Sequence, residues 1–136
     1  MEATQDLVGS RPGEGKADDN IIVIRDLHYS RGHRKIFDGL NLEIPRGRVT
    51  AIMGPSGSGK TTLLSIVGCM ARPTSGRITV NGQETTSLPE KFLAEIRRNT
   101  FGFVFQNYNL IKGITVLENT MIPAYPTGRK YRELRT

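Results

Sequence analysis

Hydrophobic and polar positions alternate from Ile21 onward, and the first signal is β. Ile21-Ile22-Val23-Ile24, with Leu27 and Tyr29 beyond, has the spacing of a strand. Ser30 to Lys35 is a polar turn containing Gly32, and Ile36 to Ile44 alternates in its second half through Leu40, Leu42 and Ile44. Two strands joined by a short turn predict an antiparallel layer. Pro45-Arg46-Gly47 turns the chain again. Val49 to Met53 then predicts a buried strand, Gly54 to Gly59 a glycine-rich turn, and Lys60 onward a helix carrying Leu63, Leu64, Ile66 and Val67.

Gly68 and Arg72-Pro73-Thr74-Ser75-Gly76 stop that helix and turn the chain. Gly76 to Val80 alternates as a short strand, and Asn81-Gly82 is a hairpin-turn signal. Ser87-Leu88-Pro89-Glu90 has capping-box spacing ahead of a helix to about Arg98, with Phe92, Leu93 and Ile96 on one face. Phe101 to Phe105 predicts a buried strand ending at Gln106. Thr115-Val116-Leu117-Glu118 matches a second capping box, opening a helix to about Met121 or Ile122 that Pro123 and Pro126-Thr127-Gly128 break. Arg129 to Thr136 reads as the start of one more helix. There are no internal repeats. Residues 1–20, rich in Gly, Asp, Glu and Ser, read as a disordered tail, which puts the domain at 21–136.

Composition adds boundaries to this picture. A chain of 136 residues with 37% hydrophobic and 24% charged residues is expected to fold as a soluble globular domain. No apolar run approaches the roughly 18–20 residues of a membrane span, and the acidic N-terminus lacks the apolar stretch of a signal peptide. Cys69 is the only cysteine, which excludes an internal disulfide and a cysteine metal cluster; it reads as a small apolar residue at a helix end. Residues 1–20 hold two basic and five acidic residues, a net of −3, so the remainder carries +9 of the total +6. A basic body suits an anionic partner. No Lys/Arg block interleaved with aromatics stands out, so direct nucleic-acid binding is not expected. His28 and His33 lack companion ligands and read as surface residues, and Arg31, Arg34 and Lys35 read as a solvated turn rather than a phosphate site.

The chemistry concentrates between Gly54 and Thr62. Gly54, Gly59, Lys60 and Thr61 satisfy G-x-x-x-x-G-K-[ST], a spacing met by chance at roughly one start site in 30,000. A polyphosphate has many acceptor oxygens, and backbone N–H groups must converge on it where a Cβ would block approach. The loop Gly54-Pro55-Ser56-Gly57-Ser58-Gly59 supplies that backbone, and the helix begun at Lys60 aims its unpaired N–H groups at the anion. Lys60 brings a mobile charge to the β/γ oxygens, and the Thr61 hydroxyl is placed to ligate Mg2+. Tyr29 is open between a ring that stacks on a purine and a half-buried strand residue, with spacing alone favouring the latter. Gln106 is open between a ligand contact at the mouth of a sheet and a strand-terminating surface residue.

Together these segments resemble one family. GPSGSGKTT, the preceding I-x-R-D-L-H-Y, P-T-S-G-R-I-T-V-N-G and F-G-F-V-F-Q are similar to the N-terminal half of an ATP-binding-cassette (ABC) transporter ATPase, from about Ile21 to the end. Ile96-Arg97-Arg98 and the stretch from Asn107 to Asn119 are nearest to the lipoprotein-releasing and macrolide-export type. The resemblance implies an α/β fold of the P-loop NTPase class. An N-terminal antiparallel β layer would precede the start of a parallel core sheet. It implies ATP and Mg2+ as ligands, with Tyr29 as the adenine-stacking residue. Gly54, Pro55, Ser56, Gly57, Ser58, Gly59, Lys60, Thr61 and Thr62 would form the phosphate site. Gln106 would stand at the position that contacts Mg2+ and the attacking water, beside Lys60 in catalysis and Thr61 at the metal. It also implies a transmembrane permease and a second ATPase subunit as partners, on the cytoplasmic side of a bacterial inner membrane.

The chain departs from the family in one respect. No L-S-G-G-Q-type signature, no apolar strand ending in Asp-Glu (Walker B) and no switch histidine occur before Thr136. The expectation is therefore an incomplete cassette, with the helical subdomain barely begun: an ATP hydrolase as a full subunit, inactive and poorly soluble as these 136 residues. Two other readings remain at this point, a soluble ABC protein acting on ribosomes or DNA, and a nucleotide-binding module without turnover.

Overall fold

Alternation on either side of a tight turn at Gly32-His33 produces the first hairpin, and the rest of the sheet is added to it. The computed structural model describes residues 19–128. Strand β1 (Asn20–Arg31) pairs antiparallel with β2 (Arg34–Pro45) on one side and with β3 (Ser75–Val80) on the other. β4 (Gln83–Glu84) closes the order β2-β1-β3-β4. The β3–β4 turn is Asn81-Gly82, at φ of 50° and 80°, the double left-handed geometry for which that dipeptide is suited. β1 begins at Asn20, whose side-chain amide donates to Glu43 at 2.9 Å. Residues 1–18 of the expected tail lie outside the described residues, as does the helix expected over 129–136.

Register puts the apolar residues on one face. Ile22 faces Ile44 and Val80, Ile24 faces Leu42 and Ile78, and Leu27 faces Leu40. Of these, all but Ile44 are buried. The face is kept through a bulge at Arg25-Asp26, where Asp26 takes φ of 50° and the pairing shifts by a residue. Gly76 of β3 lies against this bulge. A Cβ there would stand 2.3 Å from the Asp26 carbonyl oxygen and 2.7 Å from Leu27 Cα, so only glycine fits.

Helix α1 (Lys60–Val67) buries Leu63, Ile66 and Val67, an i, i+3, i+4 stripe. α2 (Glu90–Thr100) follows Pro89, whose carbonyl accepts from the Phe92 and Leu93 amides. α3 (Val116–Met121) carries the expected capping box at Thr115 and continues as a 3-10 helix over Ile122–Thr127. The chain divides into two compact units, one ending at Ala94 and one starting at Glu95.

Two strand expectations are corrected. Val49 to Met53 is irregular apart from an isolated bridge at Ile52, with Val49 fully exposed and Met53 largely so. Phe101 to Phe105 is unpaired among the described residues, and Phe103, Val104 and Phe105 are exposed. The chain there keeps the alternation of a strand: Phe101, Phe103 and Phe105 lie ring to ring at 6.0 Å centroid spacing. A run apolar on both faces suits an interior strand flanked on two sides. Among the described residues neither run has such neighbours, so the apolar character is present without the pairing.

Candidate functional site

The glycine-rich loop precedes α1 and is built around its own backbone. Gly57 and Gly59 take φ of 77° and 99°. Ser58 N–H turns inward to the Pro55 carbonyl at 3.3 Å, and Gly59 caps the helix while contributing no side chain. No acidic residue lies in the first turn, so no carboxylate competes for its amides. Lys60 Nζ donates to the carbonyls of Gly54 and Pro55 at 2.9 Å each, which folds the ammonium over the loop. Thr61 is exposed on the same turn, its carbonyl accepting from Ser65 Oγ at 2.9 Å. The Ser58 hydroxyl is buried without a protein partner.

Strand β2 backs this loop. A Cβ on Gly59 would lie 2.7 Å from Ile36 Cγ2 and 3.0 Å from Phe37 Cζ, so the last loop glycine is seated on that strand. Phe37 is the register partner of Tyr29. Tyr29, half-buried near the end of β1, therefore stands beside a residue that touches the loop. Arg34, read from sequence as part of a solvated turn, is exposed at the start of β2 and also donates Nη2–H to the Gly57 carbonyl at 3.2 Å. No local signal identifies that contact, because its partners are 23 residues apart.

Gln106 belongs to the second unit, in an exposed irregular stretch just beyond Phe105. The loop residues, Lys60, Thr61, Thr62 and Tyr29 belong to the first. His28, expected at the surface, is half-buried and bridges two carboxylates. Its Nδ1 lies 3.0 Å from Asp38 and its Nε2 3.0 Å from Asp26. A hydrogen bond from Lys35, reinforced by its charge and by His28, holds the Asp38 carboxyl below the usual carboxylate range. Among the described residues no three His, Cys, Asp or Glu side chains converge as a metal site. A cation here would need oxygens from a bound ligand besides the Thr61 hydroxyl, which is how Mg2+ is commonly held with phosphates.

The glycines, the helix start that no side chain caps and the lysine together fit a polyphosphate: a backbone cradle closed to side chains, with one mobile cation. Comparison with known proteins bears on the family. The family model described as ABC transporter matches residues 37–135. The macrolide export ATP-binding/permease protein MacB of Hyphomonas neptunium is 42% identical over 119 residues, which is 85% of this chain and 18% of that protein. The dimeric bacterial ABC transporter cassette MJ0796 is similar with a TM-score of 0.75 at 38% identity, covering 84% of this chain and 52% of that one. Its post-hydrolysis state bound to ADP and Pi is similar with the same TM-score at 36% identity, with the same coverage. The chain thus spans about half of the solved cassettes and about a fifth of the macrolide exporter. No helix among the described residues is long and apolar enough to cross a membrane. A matched family model over most of the chain, a cassette fold and a phosphate-type loop lead to one conclusion: the chain belongs to the ABC transporter family, as part of its ATPase.

Proposed function

We propose that this chain binds ATP with Mg2+ as the ATP-binding part of an ABC transporter subunit, and that residues 21–136 act as a partial ATP-binding domain behind an N-terminal tail. The observation that carries the reading is the loop from Gly54 to Gly59 running into the uncapped start of α1 beneath the Lys60 ammonium. The N–H groups of Pro55-to-Thr62, proline excepted, donate to the phosphate oxygens. Lys60 exchanges its two carbonyl bonds for β- and γ-phosphate oxygens, an exchange that strengthens them because the new acceptors are charged. Tyr29 stacks on the adenine. Thr61 and Gln106 supply oxygens toward Mg2+, which when bound neutralises charge on the phosphates. Gln106, with Lys60, orients the reacting groups.

In the complete assembly the subunit dimerises around ATP and drives a transmembrane permease from the cytoplasmic side of the membrane. Support comes from the macrolide exporter, whose name joins ATP binding and permease in one protein, and from the dimeric cassette. These 136 residues bind nucleotide without turning it over, since no Walker B acidic pair occurs in them.

Titration calorimetry with Mg-ATP tests the reading. Lys60→Ala should weaken binding at least about tenfold, the worth of a charge-assisted bond, and Tyr29→Ala about threefold to tenfold. A folded wild-type chain that binds no ATP would sink the proposal. Hydrolysis at the rate of an intact ATPase, abolished by Lys60→Ala, would refute the statement on turnover.

A further inference from the structure

The Arg34 contact has no counterpart in the motif. A trans peptide directs its C=O and N–H to opposite sides, so the group that holds one sets the other. The peptide joining Gly57 and Ser58 shows this: its carbonyl is turned out to the Arg34 guanidinium at 3.2 Å, and its N–H is turned in, 3.3 Å from the Pro55 carbonyl. Reversing the plane would rotate ψ of Gly57 and φ of Ser58 together; Gly57, at φ of 77°, tolerates either value, whereas Ser58 would be driven left-handed, so the Arg34 bond adds to a preference that Ser58 already has. With the plane reversed, a carbonyl oxygen would face a bound anion and repel it. The inward N–H, by contrast, has only a long bond to give up. β2 supports the loop a second time three residues on, where Phe37 and Ile36 fill the space beside Gly59.

We propose that Arg34 is a positioning residue of the polyphosphate site: by holding the Gly57 carbonyl outward it keeps the Ser58 N–H directed at a phosphate oxygen. The inference rests on the nucleotide reading above and extends it to a residue outside the phosphate-loop motif. It acts through a hydrogen bond to the backbone and not through the guanidinium charge, so a lysine that reaches the same carbonyl replaces it.

Calorimetry with Mg-ATP and with Mg-tripolyphosphate, which lacks a base, tests this on wild type, Arg34→Ala, Arg34→Lys and Lys60→Ala. Arg34→Ala should bind both probes roughly fivefold more weakly, as expected for one hydrogen bond. The loss should persist from ~50 mM to ~500 mM salt, because a contact is not screened as a distant charge is. Arg34→Lys should recover most of the affinity, and the melting temperature of all variants should match wild type. Wild-type affinity in Arg34→Ala, a loss that vanishes at high salt, failure of lysine to rescue, or a lowered melting temperature that accounts for the loss would each overturn the proposal. If wild type binds neither probe, or Lys60→Ala binds both unchanged, the nucleotide reading falls and this inference with it. If Lys60→Ala loses binding while Arg34→Ala does not, only this inference falls.

Discussion

Gly76 and Asp26 illustrate how single positions carry the fold. Asp26 sits left-handed in a bulge that keeps Ile24 and Leu27 on the buried face, and the neighbouring strand accommodates that bulge only because Gly76 has no Cβ. Gly76→Ala adds an atom that would overlap backbone, at φ of 102°. Backbone cannot move aside as a flexible side chain can. The expected cost is about 2–4 kcal/mol, seen as a lowered denaturation midpoint with an unchanged slope. An unaltered midpoint would mean that β3 shifts freely away from the bulge. At the same scale, Lys35 and His28 hold Asp38 ionised to lower pH than a free carboxylate. This stabilises the hairpin above the ordinary Asp range and is lost as pH falls through the lowered value.

Among the elements, α3 depends most visibly on one pair. Thr115 Oγ1 accepts from the Glu118 amide at 3.2 Å, and Glu118 Oε2 accepts from the Thr115 amide at 2.7 Å and its hydroxyl at 2.8 Å. The backbone bond, then the hydroxyl bond, holds the Glu118 carboxyl below the usual range of a glutamate. The unfolded chain therefore takes up this proton first. The stabilisation is complete above about pH 4.5 and disappears as pH falls through the lower folded value. Amide exchange at Asn119, which donates to the Thr115 carbonyl at 3.0 Å, should accelerate over that window relative to the global rate. Glu118→Gln should flatten this pH dependence, because its amide oxygen accepts without titrating. Exchange at Asn119 that ignores pH in wild type would contradict the assignment.

On the scale of the whole molecule, the exposed apolar runs decide behaviour in solution. Val49, Met53, Phe103, Val104 and Phe105 are exposed, and the last three are consecutive. Unpaired extended chain with apolar side chains is a template for association. The 136-residue chain should self-associate with concentration in light scattering, and Val104→Lys should reduce that association while leaving ATP affinity unchanged. A monomer at all concentrations would show that these side chains find cover. The antiparallel layer and the family were both foreseeable at this scale, since strand alternation and the four matched segments are present in the chain itself.

The residues alone determined what depends on neighbours in the chain: the phosphate-type loop, the Asn81-Gly82 turn, the Thr115 capping box and the alternation of β1, β2 and β3. In each the geometry is specified by residue type over a few positions. Only the tertiary structure decided that Arg34 reaches Gly57, that Phe37 links Tyr29 to Gly59, that His28 lies between Asp26 and Asp38, and that among the described residues Val49–Met53 forms no more than an isolated bridge and Phe101–Phe105 is unpaired. Those facts turn on partners distant in sequence. A side chain's reach and a strand's hydrogen bonds depend on what the fold brings alongside, which local pattern does not encode.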